Sequence, residues 1–134
     1  MTAVFADTYY FIALLNPKDS AHARASEFSR TSRARVLSTT CVFTELADGL
    51  ARCPNRHLFR LLWDDFQQGP HTQLVWPDES LYRRAVDLYS ARPDKRWSLT
   101  DCISFVVMQE HGVREALTGD HHFEQAGFRA LLKE

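Results

Sequence analysis

The amino-acid sequence predicts an α/β fold, in which a central, mainly parallel sheet of about four to five short strands is sandwiched by helices. Short apolar stretches alternate along the chain with segments of helical periodicity, and parallel strands need helical crossovers of this kind. The chain has 134 residues, of which 45% are hydrophobic and 25% are charged. This length and composition suit one core, so residues 1–134 are expected to form a single domain.

The chain opens with a strand that ends in an acid. Ala3 to Ala6 is a short apolar run that stops at Asp7. Thr8 can then cap a buried helix, which the pair Asn16-Pro17 ends because the residue before a proline disfavours helical backbone angles. The order strand, acid, helix is therefore predicted for the N-terminus.

A second helix, a second strand and a third helix follow. The pair Asp19-Ser20 can cap a helix that reaches about residue 32, and Val36 to Ser38 forms the strand. The pair Thr39-Thr40 then opens a third helix, which carries Glu45.

The middle of the chain predicts a fourth helix and a third strand. Cys53-Pro54-Asn55 breaks the chain, and Gly69-Pro70 ends the helix that follows. The helix is predicted because apolar residues recur at helical spacing, at Leu58, Leu61, Leu62 and Phe66. The strand is predicted at Gln73 to Trp76.

The C-terminal part predicts two more helices and two strands. Asp78 caps the first helix, and Ser98 starts the second, which carries Asp101 in its first turn before a nearly continuous apolar run. Strands are predicted at Glu115 to Thr118, just before Asp120, and at Phe128 to Leu131, after a short turn.

Composition excludes several classes of protein. No run of about 18 apolar residues is present and the N-terminus lacks a secretory pattern, so we expect a cytoplasmic protein without a membrane segment. The three cysteines are scattered without metal-site spacing and are expected to be reduced thiols. A net charge of -1 excludes a broadly basic nucleic-acid binder but leaves room for a local basic face.

Four acids are candidates for a metal site. Asp7 and Asp120 follow strands, and Glu45 and Asp101 lie early in helices that can open onto the same edge of the sheet, where sites gather in such folds. Clustered carboxylates repel unless a cation neutralises them, and an all-oxygen set suits Mg²⁺ or Mn²⁺. One or two such ions would support phosphodiester hydrolysis.

Each acid also has an ordinary structural explanation. Asp101 can complete a capping box with Ser98, and Asp7 and Asp120 can bond the backbone of the turns that follow them. Glu45 lies at the edge of an apolar stripe, where a carboxylate usually needs a partner. The joint placement of the four acids therefore carries the hypothesis.

Four segments together resemble the acidic motifs of PIN domains: VFADTYYFIALLN, STTCVFTELADGL, WSLTDCISFVVMQEHGV and EALTGDHHFEQAGF. The resemblance implies a PIN-like fold and a metal-dependent endoribonuclease with the four acids as catalytic and metal-binding residues. Thr8, Thr100 and Thr118 match the hydroxyl positions of the motifs and would support the acids. Small members of this kind are VapC-like toxins, so the resemblance also implies an antitoxin partner and a homodimer.

Basic residues beside the acids are candidates for RNA contacts. Lys95 and Arg96 precede the Asp101 helix, and His121 follows Asp120. One of the paired histidines, His121 or His122, could instead assist proton transfer or lie near the metal, although carboxylate chemistry does not require it. Seven arginines form either a phosphate-binding rim or a solvated helix face, and they lie at positions 24, 30, 33, 35, 52, 56 and 60. Trp97 either contacts a base or anchors the core.

Two other functions stay open at this point. An enzyme with Asp7 as a covalent nucleophile, of the haloacid-dehalogenase type, usually has a second acid two residues later, where this chain has Tyr9. The alternative is a non-catalytic PIN-fold module that binds RNA or protein, and four intact acids count against it.

Overall fold

The computed structural model describes residues 2–134. The strands are β1 (Ala3–Ala6), β2 (Arg35–Thr39), β3 (Thr72–Val75), β4 (Glu115–Leu117) and β5 (Arg129–Ala130). The helices are α1 (Thr8–Leu15), α2 (His22–Thr31), α3 (Thr40–Leu50), α4 (Leu58–Gln68), α5 (Glu79–Ala91), α6 (Leu99–Glu110) and α7 (His121–Gln125). None of the helices in this part of the chain has the length and apolar character needed to cross a bilayer.

The five strands form one parallel sheet in the order β3-β2-β1-β4-β5, which confirms the predicted α/β fold. β1 lies at the centre, and its Phe5 and Ala6 are fully buried. Strands buried on both faces consist of apolar runs, which is why the sequence of β1 has no alternation. Because all strands run in the same direction, their carboxyl ends meet at one edge of the sheet.

Aromatic side chains fill much of the core between the sheet and the helices. Phe43 of α3 packs on Phe11 of α1 at 4.9 Å and on Phe66 of α4 at 5.3 Å between ring centroids. Phe105 of α6 meets Phe123 of α7 edge to face at 5.0 Å. Full burial of one such side chain stabilises the fold by roughly 1.5–3 kcal/mol, so these contacts hold the helices that carry the acids in place.

Three of the predicted helix caps are confirmed, whereas Thr8 is the first residue of α1 and does not cap it. The side chains of Thr39, Asp78 and Ser98 accept hydrogen bonds from backbone N–H groups in the first turns of α3, α5 and α6. The predicted start of α2 is wrong, because the Asp19 carboxylate instead accepts from Ala21 N at 2.9 Å and closes a turn before the helix. The caps of α3 and α6 matter for the candidate site because these two helices carry Glu45 and Asp101.

Two strand boundaries and one helix differ from the predictions. β3 ends at Val75, the last residue paired with β2, so Trp76 lies beyond the strand. β4 ends at Leu117 and leaves Thr118 outside the strand. The turn predicted before the last strand contains α7, a short helix in which the Asp120 side chain accepts a hydrogen bond from His122 N–H.

Candidate active site

Asp7 lies at the carboxyl end of the central strand, immediately before α1. Its side chain is only 6% exposed and makes no capping hydrogen bond to the helix. The turn is instead closed by the main chain, where Tyr10 N–H donates to the Asp7 carbonyl oxygen at 3.0 Å. The Asp7 carboxylate therefore does not bond the backbone of Tyr9 or Tyr10 as the turn explanation required.

Thr118 links Asp7 to the chain segment that carries Asp120. Its fully buried hydroxyl donates to Asp7 Oδ2 at 2.9 Å and accepts from Asp120 N–H at 3.0 Å. The pairing of Ala6 with Leu117 brings the ends of β1 and β4 side by side and makes this bridge geometrically available. One hydroxyl thus holds two of the predicted site segments together.

Asp101 is held by the start of α6 and by a histidine. It forms the predicted capping box, in which Asp101 N–H donates to Ser98 Oγ at 3.0 Å and Ser98 N–H donates to Asp101 Oδ2 at 3.1 Å. The same Oδ2 lies 3.1 Å from His122 Nδ1, which is also 3.5 Å from Asp120 Oδ2. Asp101 therefore caps a helix and also faces Asp120 across His122.

Glu45 is exposed on α3, in a cleft between α3 and α6 that Thr100 and Tyr82 also line. The expected position at the edge of an apolar stripe is consistent with buried Val42 and Leu46, but the carboxylate itself reaches solvent. It lies near enough to Asp7 for its charge to raise the Asp7 pKa. We call Asp7, Glu45, Asp101 and Asp120 the acidic cluster.

The electrostatics of the acidic cluster favour a bound cation. The pKa of Asp7 is raised from 3.8 to about 7, chiefly by burial and in smaller part by the charges of Asp101 and Glu45, while hydrogen bonds from Thr118 and the Thr8 backbone oppose the rise. Burial also raises the pKa of Asp101, with a contribution from the Asp120 charge. Among residues 2–134, no lysine or arginine forms an ion pair with any of these four acids.

The donor chemistry fits a hard divalent ion. The acidic cluster offers carboxylate oxygens, which Mg²⁺ and Mn²⁺ prefer. Ligand atoms of Asp120, His121 and His122 also lie within 4.8 Å of one another, so imidazole nitrogen is available beside the carboxylates. A cation would remove the repulsion that raises the pKa of Asp7.

The remaining predicted site residues lie on chain segments next to the acids. Thr8 is buried, and its hydroxyl lies 3.5 Å from the Val42 carbonyl oxygen of α3. Lys95 is half-buried with its Nζ 3.8 Å from Asp94, whereas Arg96 is exposed. His121 is exposed, with Nδ1 3.5 Å from Asp120 Oδ1.

Two aromatic residues near the site have structural roles. Trp97 anchors the core, because its buried indole meets Phe105 edge to face at 5.1 Å and donates Nε1–H to Gln125. The Tyr9 ring packs on Gly119 so closely that a Cβ there would lie 2.6 Å from the Tyr9 hydroxyl oxygen. Tyr9 thus occupies the position at which a haloacid-dehalogenase-like enzyme usually has its second acid.

The two histidines that follow Asp120 differ in their contacts with the acids. His122, which is one-fifth exposed, contacts both Asp101 and Asp120, whereas His121 contacts only Asp120.

Comparisons with known proteins agree with this fold. The model of the PIN domain family matches residues 4–129. The 23S rRNA-specific endonuclease VapC20 of Mycobacterium tuberculosis is 26% identical over 132 residues, which cover 98% of this chain and 99% of VapC20. Its crystal structure, described as that of a sarcin-ricin loop cleaving toxin, matches with a TM-score of 0.82 at 25% identity over 93% of this chain and 95% of that one.

Two further solved structures share the fold at lower identity. DNA-bound VapBC from Salmonella typhimurium matches with a TM-score of 0.68 and 13% identity, covering 97% of each chain. FitAcB from Neisseria gonorrhoeae matches with a TM-score of 0.64 and 18% identity, covering 95% of this chain and 94% of that one. The family match spans nearly all of the residues that build the sheet and the acidic cluster, and the chain belongs to the PIN domain family.

Proposed function

We propose that this protein is a metal-dependent endoribonuclease that hydrolyses RNA phosphodiester bonds as the toxin of a toxin–antitoxin pair. The observation that carries the proposal is the meeting of Asp7, Asp101 and Asp120, with Glu45 beside them, at one sheet edge without a compensating lysine or arginine. Membership of the PIN domain family and the likeness to VapC20 support it. The 23S rRNA that VapC20 is named for is the first substrate to test.

The acidic cluster would hold one or two Mg²⁺ or Mn²⁺ ions. When bound, such an ion supplies an activated water and offsets negative charge on the phosphate under attack. The chain's own contribution is to fix the carboxylates. Thr118 orients Asp7 by donating a hydrogen bond, and Ser98 and His122 hold Asp101 from two sides.

The supporting residues would act around this centre. Thr8 ties the start of α1 to α3, and Thr100 lines the cleft beside Glu45. Lys95, Arg96 and His121 lie next to the segments that carry Asp101 and Asp120, and they are proposed to contact the phosphates of the RNA.

An antitoxin and a second copy of the chain are the proposed protein partners. The toxin–antitoxin complexes that share the fold support the first. For the second, α5 presents Tyr82, Val86 and Tyr89 at exposures of 40% to 52%. These residues recur at helical spacing and form one apolar face, as expected of a helix that packs against another chain.

The decisive experiment compares carboxylate variants in a purified RNA cleavage assay. Wild-type protein in Mg²⁺ or Mn²⁺ should cleave 23S rRNA or total RNA, and Asp7→Asn or Asp101→Asn should reduce the rate by about 100-fold or more. Asp87→Asn, which changes an exposed aspartate of α5, is the matched control. If Asp7→Asn cleaves as fast as wild type, the assignment of the acidic cluster is wrong.

A further inference from the structure

Trp76 is the most exposed large apolar side chain of residues 2–134, at 67%. It follows β3, whose last residue, Val75, pairs with Thr39, the residue that caps α3. Trp76 therefore lies at the carboxyl edge of the sheet, the same edge as the acidic cluster. β3 and β1 are two strands apart, which is about 10 Å at the usual strand spacing.

The indole of Trp76 is held in place although it is exposed. Pro77 restricts the backbone of the residue before it to extended angles. Trp63 of α4 meets Trp76 edge to face, with ring centroids 6.2 Å apart and planes at 86°. Trp63 is in turn fixed against buried Phe43 at 5.5 Å. This arrangement supports one side of the indole and leaves a large part of its surface open to solvent.

Trp76 lines a groove that leads from the acidic cluster. The groove lies between α3 and α4, and Thr40, Thr44, Asp48, Phe59, Trp63 and Trp76 contribute to its walls. Thr44 and Asp48 also line the cleft that contains Glu45, so the two depressions meet along α3. We call the groove that these six residues line the α3 groove.

The far end of the α3 groove is basic. Phe59 and Ala47 also line a third depression, at the turn between α3 and α4, which contains Arg56, His57 and Arg60. The Arg60 side chain is 77% exposed, and its Nε contact to Asp64 leaves the outer guanidinium N–H groups available. The surface thus runs from carboxylates, past hydroxyls and an exposed indole, to guanidinium groups.

We propose that the α3 groove binds the single-stranded RNA that flanks the cleaved bond, with a base stacked on Trp76 and phosphates at Arg56 and Arg60. The proposal rests on the proposed nuclease function, and it names Trp76 as a residue that positions the substrate. Single-stranded nucleic acid is recognised by this combination of an aromatic face with cationic groups along the backbone path. The positive charges of Arg56 and Arg60 complement the phosphates of an RNA strand that runs along the groove from the acidic cluster.

The test measures binding separately from cleavage. Binding of a fluorescently labelled single-stranded oligouridylate is measured in the Asp7→Asn background, where the RNA stays intact. Trp76→Ala should weaken binding by roughly 5- to 100-fold, the range for loss of one stacked base. Trp76→Phe should restore most of the affinity. Leu61→Ala, which removes a 61% exposed side chain of α4 outside the groove, should leave the affinity unchanged.

Two further measurements use the cleaving protein. In the wild-type background, Trp76→Ala should raise KM by a similar factor and change kcat by about twofold or less, because it removes binding that the ground and transition states share. Titration with the oligouridylate should quench tryptophan fluorescence, and Trp76→Phe should abolish most of the quenching. Circular dichroism and thermal melting verify that the variants are folded.

The outcomes separate this proposal from the proposed function. If Asp7→Asn abolishes cleavage but Trp76→Ala leaves both Kd and KM unchanged, the groove proposal is overturned and the nuclease assignment stands. If the wild-type protein neither binds nor cleaves RNA, both fall. If Trp76→Ala weakens self-association or binding of an antitoxin while RNA affinity is unchanged, the groove is a protein interface and the proposal is overturned.

Discussion

Replacing Asp7 by asparagine is expected to stabilise the metal-free protein at neutral and alkaline pH. Asn has nearly the shape of Asp, and its side-chain oxygen can still accept the hydrogen bond from the Thr118 hydroxyl. What the change removes is a buried negative charge that faces Asp101 and Glu45. The residue most important for the proposed reaction is therefore expected to destabilise the fold when no cation is present.

The magnitude follows from the Asp7 pKa. In the unfolded chain Asp7 releases its proton near pH 3.8, whereas in the folded protein it keeps the proton until about pH 7. Between these values the folded chain binds more protons than the unfolded chain, so its stability falls as pH rises. At about 1.4 kcal/mol per pKa unit, the loss approaches about 4 kcal/mol above pH 7, and water that enters the cleft reduces it.

The assay is urea unfolding of wild type and Asp7→Asn in EDTA across this pH range. The two proteins should have similar free energies of unfolding near pH 4, and the variant should be about 2–4 kcal/mol more stable near pH 8. Titrating groups that do not interact with Asp7 cancel in the difference between the two proteins. Adding Mn²⁺ should stabilise the wild type much more than the variant. A difference that stays constant with pH would refute the reasoning.

Three further changes test the scaffold of the site. Thr118→Val removes the hydroxyl that donates to Asp7, and it should weaken Mn²⁺ binding in isothermal titration by about 10- to 100-fold. Thr118→Ser should retain most of the affinity, and equal affinity for the valine variant would contradict the bridge. Ser98→Ala removes the cap of α6, and it should cost about 1 kcal/mol in urea unfolding, with Ser98→Thr as the conservative control. Phe123→Ala removes a fully buried ring and should lower the free energy of unfolding in urea by about 3–5 kcal/mol. A loss below about 1 kcal/mol would mean that the ring is not a core contact.

The sheet and its helices were predictable because the signals are local. The apolar run of β1, the helical spacing of Leu58, Leu62 and Phe66, and the caps Thr39 and Asp78 each depend on residues close together in the chain. The start of α2 was missed because an Asp19 side chain can close a turn as readily as cap a helix, and only tertiary packing decides between them.

The acids of the site were predictable, but their interactions were not. The hydrogen bond between Asp7 and Thr118 joins residues 111 positions apart, and no local sequence pattern predicts it. Ordinary explanations were also confirmed for Asp101, which completes a capping box, and for Asp120, which accepts from His122 N–H. A capping role and a place in the acidic cluster are compatible, because a carboxylate has two oxygens with several acceptor sites.

The order of the segments in the sheet bears on when the protein becomes active during its synthesis. β1 is made first and lies at the centre of the sheet, yet its neighbour β4 and the Thr118 bridge come from the last part of the chain. A ribosome must therefore translate through Asp120 before the last carboxylate can join Asp7. A nascent chain or a prematurely terminated fragment that stops before Asp120 lacks one carboxylate of the proposed centre, so we expect it to be inactive.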